Sequence, residues 1–352
     1  MDKNNHIPII SIDGWVIPHR FISFLKIDRY ALLNIPIVEA ECNIPNDDKL
    51  TYLLKNKMFK AGFDFIGKIQ EVYNFYLTDI LSLTFSKEKV NTVRFRGLLD
   101  VRDLMNIPNQ ISFKDKTTDE VLALMQTVFP DIQYKGEDKQ TWINYNVPEI
   151  QFIKELVEHS KLTNDFIIPY IGLNKELVVK KFSDISKDKS FDLTDIPIKP
   201  QVKLFTNDYL NSFLLEEAKG FREWVLVDDG AYIPKTVQQT TDVVTSDAIA
   251  NASYVTDQFI NIGNVYPSFY IQKLKNKQYL KNIQKYIIEV SYSQLITDES
   301  LVLLKMHKLN LKENLSEILK TEFMLMGVTK YFINEDGNYN YKTSLTLTKG
   351  DF

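Results

Sequence analysis

The seven residues Gly62-Phe63-Asp64-Phe65-Ile66-Gly67-Lys68 carry the spacing of a loop that cradles a nucleotide phosphate. The chemistry breaks at the next position. Ile69 stands where a Ser or Thr hydroxyl would hold magnesium, and bulky Phe63 and Phe65 would crowd a backbone that must wrap a phosphate. The residues that follow alternate like a strand rather than opening a helix, so a strand with glycines at its bends is the better reading. The four histidines, His6, His19, His159 and His307, include no pair at metal-ligand spacing, and His159 ends a helical pattern where a cation suits the dipole. The acid pairs Asp47-Asp48 and Asp228-Asp229 sit in turn-like sequence. A glycosidase needs only two acids, but a sugar cleft is lined with aromatics, and Trp15, Trp142 and Trp224 lie far apart. Neither a Gly-x-Ser-x-Gly elbow nor a Gly-x-Gly-x-x-Gly turn occurs.

Three further features read as ordinary structure. Cys42, the one cysteine, excludes an internal disulfide framework and a multi-cysteine zinc site, and at a strand end it reads as a small core filler. Lys273, Lys275, Lys277, Lys281 and Lys285, with Tyr279 and Tyr286 between them, read as a solvated helix face rather than a nucleic-acid surface. Asn251 and Asn314 begin glycosylation acceptor triplets, which mean little without secretion. The expectation is therefore no catalytic residue, no cofactor-binding residue, no metal ligand and no cofactor: a chain that is not an enzyme.

The composition agrees with a folded, soluble chain. The 352 residues are 44% hydrophobic and 25% charged, and the 12 Gly and 12 Pro exclude collagen-like and low-complexity architectures. A formal charge of −4 gives no electrostatic reason for specific nucleic-acid recognition. Arg20, Arg29, Arg94, Arg96, Arg102 and Arg222 are the only arginines among 42 basic residues, too scattered to form a phosphate-binding cluster. No apolar run is long enough to cross a bilayer, and Met1 to Pro8 has no cationic leader before an apolar stretch, so synthesis in a cytoplasm is expected.

The elements that must position these residues change texture along the chain. Residues 1–112 read mostly as strand, with candidates at Trp15 to Ile27, Ile35 to Cys42, Phe63 to Phe85 and Val90 to Leu98. Their period-2 patterning predicts a small antiparallel barrel or sandwich. Residues 113–196 form a helix–helix–hairpin unit. Thr117 to Glu120 spells a capping box, and Val121, Leu124, Met125 and Val128 share one helical face before Pro130. A second helix starts at Pro148 with Ile150, Ile153, Leu156 and Val157 inward, and a hairpin runs from Phe166 to Ile171 and back from Glu176 to Phe182. Residues 197–230 and 284–352 return to strand. They close with a hairpin from Phe323 to Leu347 about Asp336-Gly337. Residues 231–283, which include the polar, β-branched stretch Thr236 to Ser253, read as an excursion or mobile loop.

This order of elements resembles the baseplate or tail hub family of contractile phage tails and related injection machines, the late-control type of hub. The resemblance rests on Phe113-Lys114-Asp115 through Phe182, with Trp142 to Tyr145 between the two helices, and on the closing Tyr331 to Leu347 hairpin. It implies an α+β chain of two tail-tube-like antiparallel β-barrel domains, 1–112 and 197–230 with 284–352, separated by the helix–helix–hairpin insert 113–196. It also implies a homotrimer forming a pseudo-sixfold ring that joins the tail tube protein to the central spike protein and lines the channel. Tape measure and baseplate wedge proteins would be further neighbours, and the setting a virion baseplate assembled in a host cytoplasm. The 231–283 excursion has no counterpart in that pattern. A distal-tail or tube-adaptor protein is the second structural reading, and a carboxylate-based hydrolase the reading from another class.

Overall fold

The computed structural model describes residues 6–45, 47–66, 69–85, 90–106, 111–125, 129–163, 165–185, 191–192, 201–206, 220–226, 232–240, 243–245, 255–260, 276, 279–280, 283, 286–308, 322–335 and 337–349. The amino-terminal module is built from β1 (His6–Ile12), β2 (Trp15–Val16), β3 (Ile22–Tyr30), β4 (Ile37–Ile44), α1 (Asp47–Asn56), β5 (Met58–Phe65), β6 (Ile69–Phe85) and β7 (Asn91–Leu99). Its strands hydrogen-bond in the order β3-β4-β7-β6-β5-β1-β2, every pair antiparallel. Strict alternation drives this arrangement. In β4, Val38, Ala40, Cys42 and Ile44 all point inward and are fully buried. Phe59 fills the centre, edge-on to Phe95 at 5.0 Å and stacked near Phe75 at 5.9 Å.

The phosphate-loop spelling is resolved by this sheet. Gly62 pairs with Val72 inside the β5–β6 ladder, so close that a Cβ there would lie 1.9 Å from the Glu71 carbonyl oxygen. The glycine permits strand contact, not a phosphate cradle. Gly67 and Lys68 lie outside the described residues. One element differs from the sequence expectation: α1 is a helix inside the strand-rich module. Leu50 and Leu53, spaced for one helical face, are buried in it, and Lys57 ends it at φ 58°.

The middle module holds β8 (Ile111–Lys116), α2 (Thr118–Leu122), β9 (Phe129–Gln133), β10 (Gln140–Asn144), α3 (Glu149–His159), β11 (Ile167–Ile171), β12 (Glu176–Lys181) and α4 (Phe182–Ile185). The capping box forms as spelled, with Glu120 accepting the Thr117 amide at 3.2 Å. The helix behind it is shorter than its periodicity predicts. It stops at Leu122, Leu124 is exposed, and Pro130 falls inside β9. Pro148 is the N-cap of α3 rather than its first helical residue, and Phe152 joins Ile153, Leu156 and Val157 in the buried stripe. Buried Asp138 ties the module together, accepting the Thr118 amide at 2.9 Å, the Thr118 hydroxyl at 2.7 Å and the Lys161 amide at 3.0 Å.

The β11–β12 hairpin forms where expected, and β9 adds to it in parallel. All five residues of β11 are buried because the hairpin is covered on both faces. Ile167 and Ile171 join the amino-terminal core, while Ile168 and Tyr170 join the core of the carboxy-terminal module.

The remaining strands are β13 (Phe191–Asp192), β14 (Gln201–Thr206), β15 (Gly220–Leu226), β16 (Tyr232–Thr240), β17 (Val243–Thr245), β18 (Val255–Ile260), β19 (Tyr286–Tyr292), β20 (Met306–Lys308), β21 (Glu322–Glu335) and β22 (Asn338–Lys349). Strands β14, β19, β22 and β21 run side by side, and β21 then pairs with β3 from Gly327↔Tyr30 to Ile333↔Phe24. That one seam merges both β-rich modules into a thirteen-stranded sheet. Strands β15 to β18 form a separate four-stranded sheet, three of whose strands come from the stretch expected to be a loop excursion. The fold is mostly antiparallel β with four α-helices among the described residues, and no closed barrel is found among them. No helix among them is long and apolar enough to cross a membrane.

The closing hairpin places Glu335 opposite Asn338, with Gly337 at φ 88° and its amide donating to the Asn334 side chain at 2.9 Å. Asp336 lies outside the described residues. Gly337→Val should lower stability by about 1–2 kcal/mol, because an L side chain is strained in the left-handed region. Thermal melting checks it, and an unchanged midpoint would contradict this assignment of the turn.

Candidate assembly edge and charged junction

The histidines are dispersed. His6 opens β1, His19 lies in the turn before β3, His159 closes α3 with its Nδ1 2.7 Å from the Glu155 carbonyl, and His307 sits in β20. Burial pushes His307 down to about 4, so it is neutral at physiological pH. No group of metal-binding side chains occurs among the described residues. Cys42 is buried and its thiol is pushed up to about 12 by desolvation, the opposite of what a nucleophile requires. Trp142 is a buried core residue whose indole donates to the Lys116 carbonyl at 3.0 Å. Asp228, Asp229, Asn251, Asn314 and the five lysines from Lys273 to Lys285 lie outside the described residues.

The structure instead assembles charges that pattern reading does not single out. Arg29 on β3, Glu71 and Tyr73 on β6, Lys330 on β21 and Asp298 after β19 converge where the two β-rich modules meet. Lys330 Nζ lies 2.5 Å from Glu71 Oε2 and 3.0 Å from Asp298 Oδ1, and Arg29 Nη2 lies 2.6 Å from Asp298 Oδ1. The Tyr73 hydroxyl donates to Asp298 Oδ2 at 2.9 Å, and the Asp298 amide donates to Glu71 Oε1 at 2.6 Å. Arg29 also donates to the Leu301 carbonyl at 2.7 Å. Two cations and two anions balance, and Arg29, Glu71 and Lys330 are each less than 10% exposed.

The four charges are not equivalent. Burial, and then the negative charge of Asp298, raise the Glu71 pKa above the ordinary carboxylate value. Burial pushes Asp298 the same way, but Arg29 and Lys330 overcome it and hold this carboxyl well below that range. A cavity of about 430 Å³ adjoins the cluster, and Leu173 and Asn174 from the β11–β12 turn help line it. All three modules therefore meet at one polar junction.

The second feature is an edge. β5 stops pairing with β6 at Met58↔Tyr76, while β6 runs on to Phe85 with only β7 beside it among the described residues. From Thr78 to Phe85 no residue of β6 is buried. Leu81 is 42% and Phe85 71% exposed, and Ile80 and Leu83 are half-buried. Ile80, Leu83 and Phe85 pair with Phe95, Val93 and Asn91, so they extend the core-facing side of the sheet past the point where the core covers it. Register shifts at Leu77/Asp79 and Ile80/Ser82 mark the same segment, as bulges commonly do on edges. Besides this overhang inside the sheet order, the end strand β14 is open, since it pairs with β19 alone among the described strands.

No protein family and no curated protein matches the sequence. Solved structures match the fold over nearly the whole chain. The tail protein from Neisseria meningitidis MC58 superposes with a TM-score of 0.59 at 11% identity, covering 98% of this chain and 97% of that one. The 43 kDa tail protein of prophage MuSo2 from Shewanella oneidensis gives 0.59 at 12% identity, again over 98% and 97%. The E. coli c3393 protein, a type VI secretion component described as structurally similar to the T4 tail proteins gp27 and gp5, gives 0.56 at 10% identity over 97% and 77%. At these identities the likeness is one of fold.

Proposed function

We propose that this chain is a structural component of a contractile tail or a related injection machine, and within it the hub. Three copies form a pseudo-sixfold ring that joins the tail tube protein to the central spike protein and lines the channel. The β-rich modules 1–112 and 197–230 with 284–352 play the part of two tube-like domains in one chain, and 113–196 is the insert that braces them. The ring belongs to a virion baseplate assembled in a host cytoplasm. It acts by shape and contact rather than by turnover, and it needs no sequence-specific grip on nucleic acid.

The observation that carries this reading is the fold likeness to tail proteins, which extends across both β modules and the insert rather than one piece. The open edge of β6 supports the ring. An uncovered strand with apolar side chains is an aggregation hazard unless a neighbour completes it, and a sibling copy supplies a strand of suitable chemistry. Two different open edges on one sheet suit head-to-tail contacts that close into a ring. Electron-microscopy reconstruction of particles containing this chain tests the proposal. Three copies between a sixfold tube and a threefold spike are expected. A discrete monomer with hydrolytic activity would overturn it.

A further inference from the structure

We propose that Glu71 and Lys330 condense into an intramolecular amide, a covalent staple between β6 of the amino-terminal module and β21 of the carboxy-terminal one. The idea is independent of assembly and concerns only the interior of one chain.

The reacting groups are already in contact. Lys330 Nζ is 2.5 Å from Glu71 Oε2 and 3.0 Å from Asp298 Oδ1. Glu71 Oε1, where negative charge would develop during attack, already accepts the Asp298 backbone N–H at 2.6 Å. Asp298 is held in place by Arg29 at 2.6 Å and by the Tyr73 hydroxyl at 2.9 Å, which leaves it positioned to take a proton from the lysine. The Phe65 ring lies 5.3 Å from Lys330 Nζ and helps keep water from the amine.

The roles divide cleanly. The Lys330 ammonium passes a proton across their contact to Glu71 Oε2, and the freed nitrogen lone pair attacks Cδ of the resulting neutral acid. The C–N bond forms, the tetrahedral oxygen Oε1 is held by the Asp298 amide, and the C–Oε2 bond breaks. Oε2 leaves as water, carrying the proton it took from the ammonium and a second one that Asp298 relays from the nitrogen after attack. The balance is one ammonium and one carboxylate giving one amide and one water, with no redox change and no further reactant. The environment favours this direction. Burial and the neighbouring Asp298 charge favour the neutral acid form of Glu71, the form an amine attacks. Condensation also reduces four buried charges to two, and the pair that remains, Arg29 and Asp298, is itself in contact. With Cys42 as the lone thiol, no disulfide can join the modules within one chain.

Mass spectrometry of the purified full-length chain under denaturing conditions tests the staple. The expected mass is one water, about 18 Da, below the sequence mass, and digestion should release a branched peptide joining Glu71 to Lys330. Lys330→Met and Asp298→Asn should both appear at their full sequence masses, with circular dichroism confirming that each is folded. Wild-type chain that stays at full mass after prolonged incubation in its folded state contains an ion pair only and overturns the proposal. A branch at Asp298 instead of Glu71 overturns the assignment of the acid.

Discussion

Arg29→Met is expected to destabilise the folded chain by about 3–5 kcal/mol, the usual cost of removing one partner from a buried ion pair. The guanidinium touches the Asp298 carboxylate at 2.6 Å and the Leu301 carbonyl at 2.7 Å, so its loss leaves a buried anion short of a cation and an acceptor short of a donor. The methionine stem fits the space, and the deficit is electrostatic rather than steric. Urea denaturation of the variant beside wild type measures it. A difference under about 1 kcal/mol would mean that water or movement of the 298–301 turn relieves the charge.

The pH dependence follows from the same contact with the opposite sign for each acid. Asp298 is depressed in the fold, so its contribution is fully present above its ordinary value of 3.8 and is lost as pH falls below it. As long as Glu71 remains a free carboxyl, not condensed with Lys330, it is raised in the fold above its ordinary 4.5, so it favours folding below that value and loses this contribution as pH rises through the raised one. Wild-type stability should therefore hold through mild acid and fall only below the usual aspartate range, and Arg29→Met should flatten that fall.

The second large effect belongs to assembly. Leu81→Lys combined with Phe85→Lys should leave the melting temperature of the separated chain unchanged, because both side chains are already exposed. The same pair should weaken self-association by roughly 30-fold or more, the equivalent of about 2 kcal/mol for an apolar contact removed and a charge introduced. Sedimentation across a concentration series separates the two quantities. Unchanged association would contradict the proposed contact along β6.

Much of the local structure was legible in the residues because its causes are local. The Thr117 capping box and the Gly337 turn each depend on a few neighbours, and each forms in place; the strand expected at Ile35 to Cys42 forms as well, with Val38, Ala40, Cys42 and Ile44 as its inward row. The failures have equally physical causes. α1 is short and sits among strand-formers, so its Leu50 and Leu53 spacing was overshadowed by the surrounding period of two. β9 joins β12 in parallel from far along the chain, and no local signal announces such a pairing.

The charged junction carries a signal in the sequence. Arg29 follows Leu25 and Ile27 on the inward row of β3, Glu71 precedes Phe75 and Leu77 on that of β6, and Lys330 lies between Val328 and Phe332 on β21. Three charges on inward rows of different strands must find partners, and here they find one another. What single-strand patterning cannot show is which strands meet, and so neither the seam between β21 and β3 nor the bare length of β6 could be read in advance.

Amide hydrogen exchange across residues 78–85 is the most direct test of the proposed ring and its contact along β6, comparing dilute separated chains with the assembled form. Backbone groups on a free edge exchange quickly, and pairing with a sibling strand should slow them strongly while the amides between β5 and the first half of β6 stay as protected as before. Rapid exchange at 78–85 inside a fully formed ring would contradict the account.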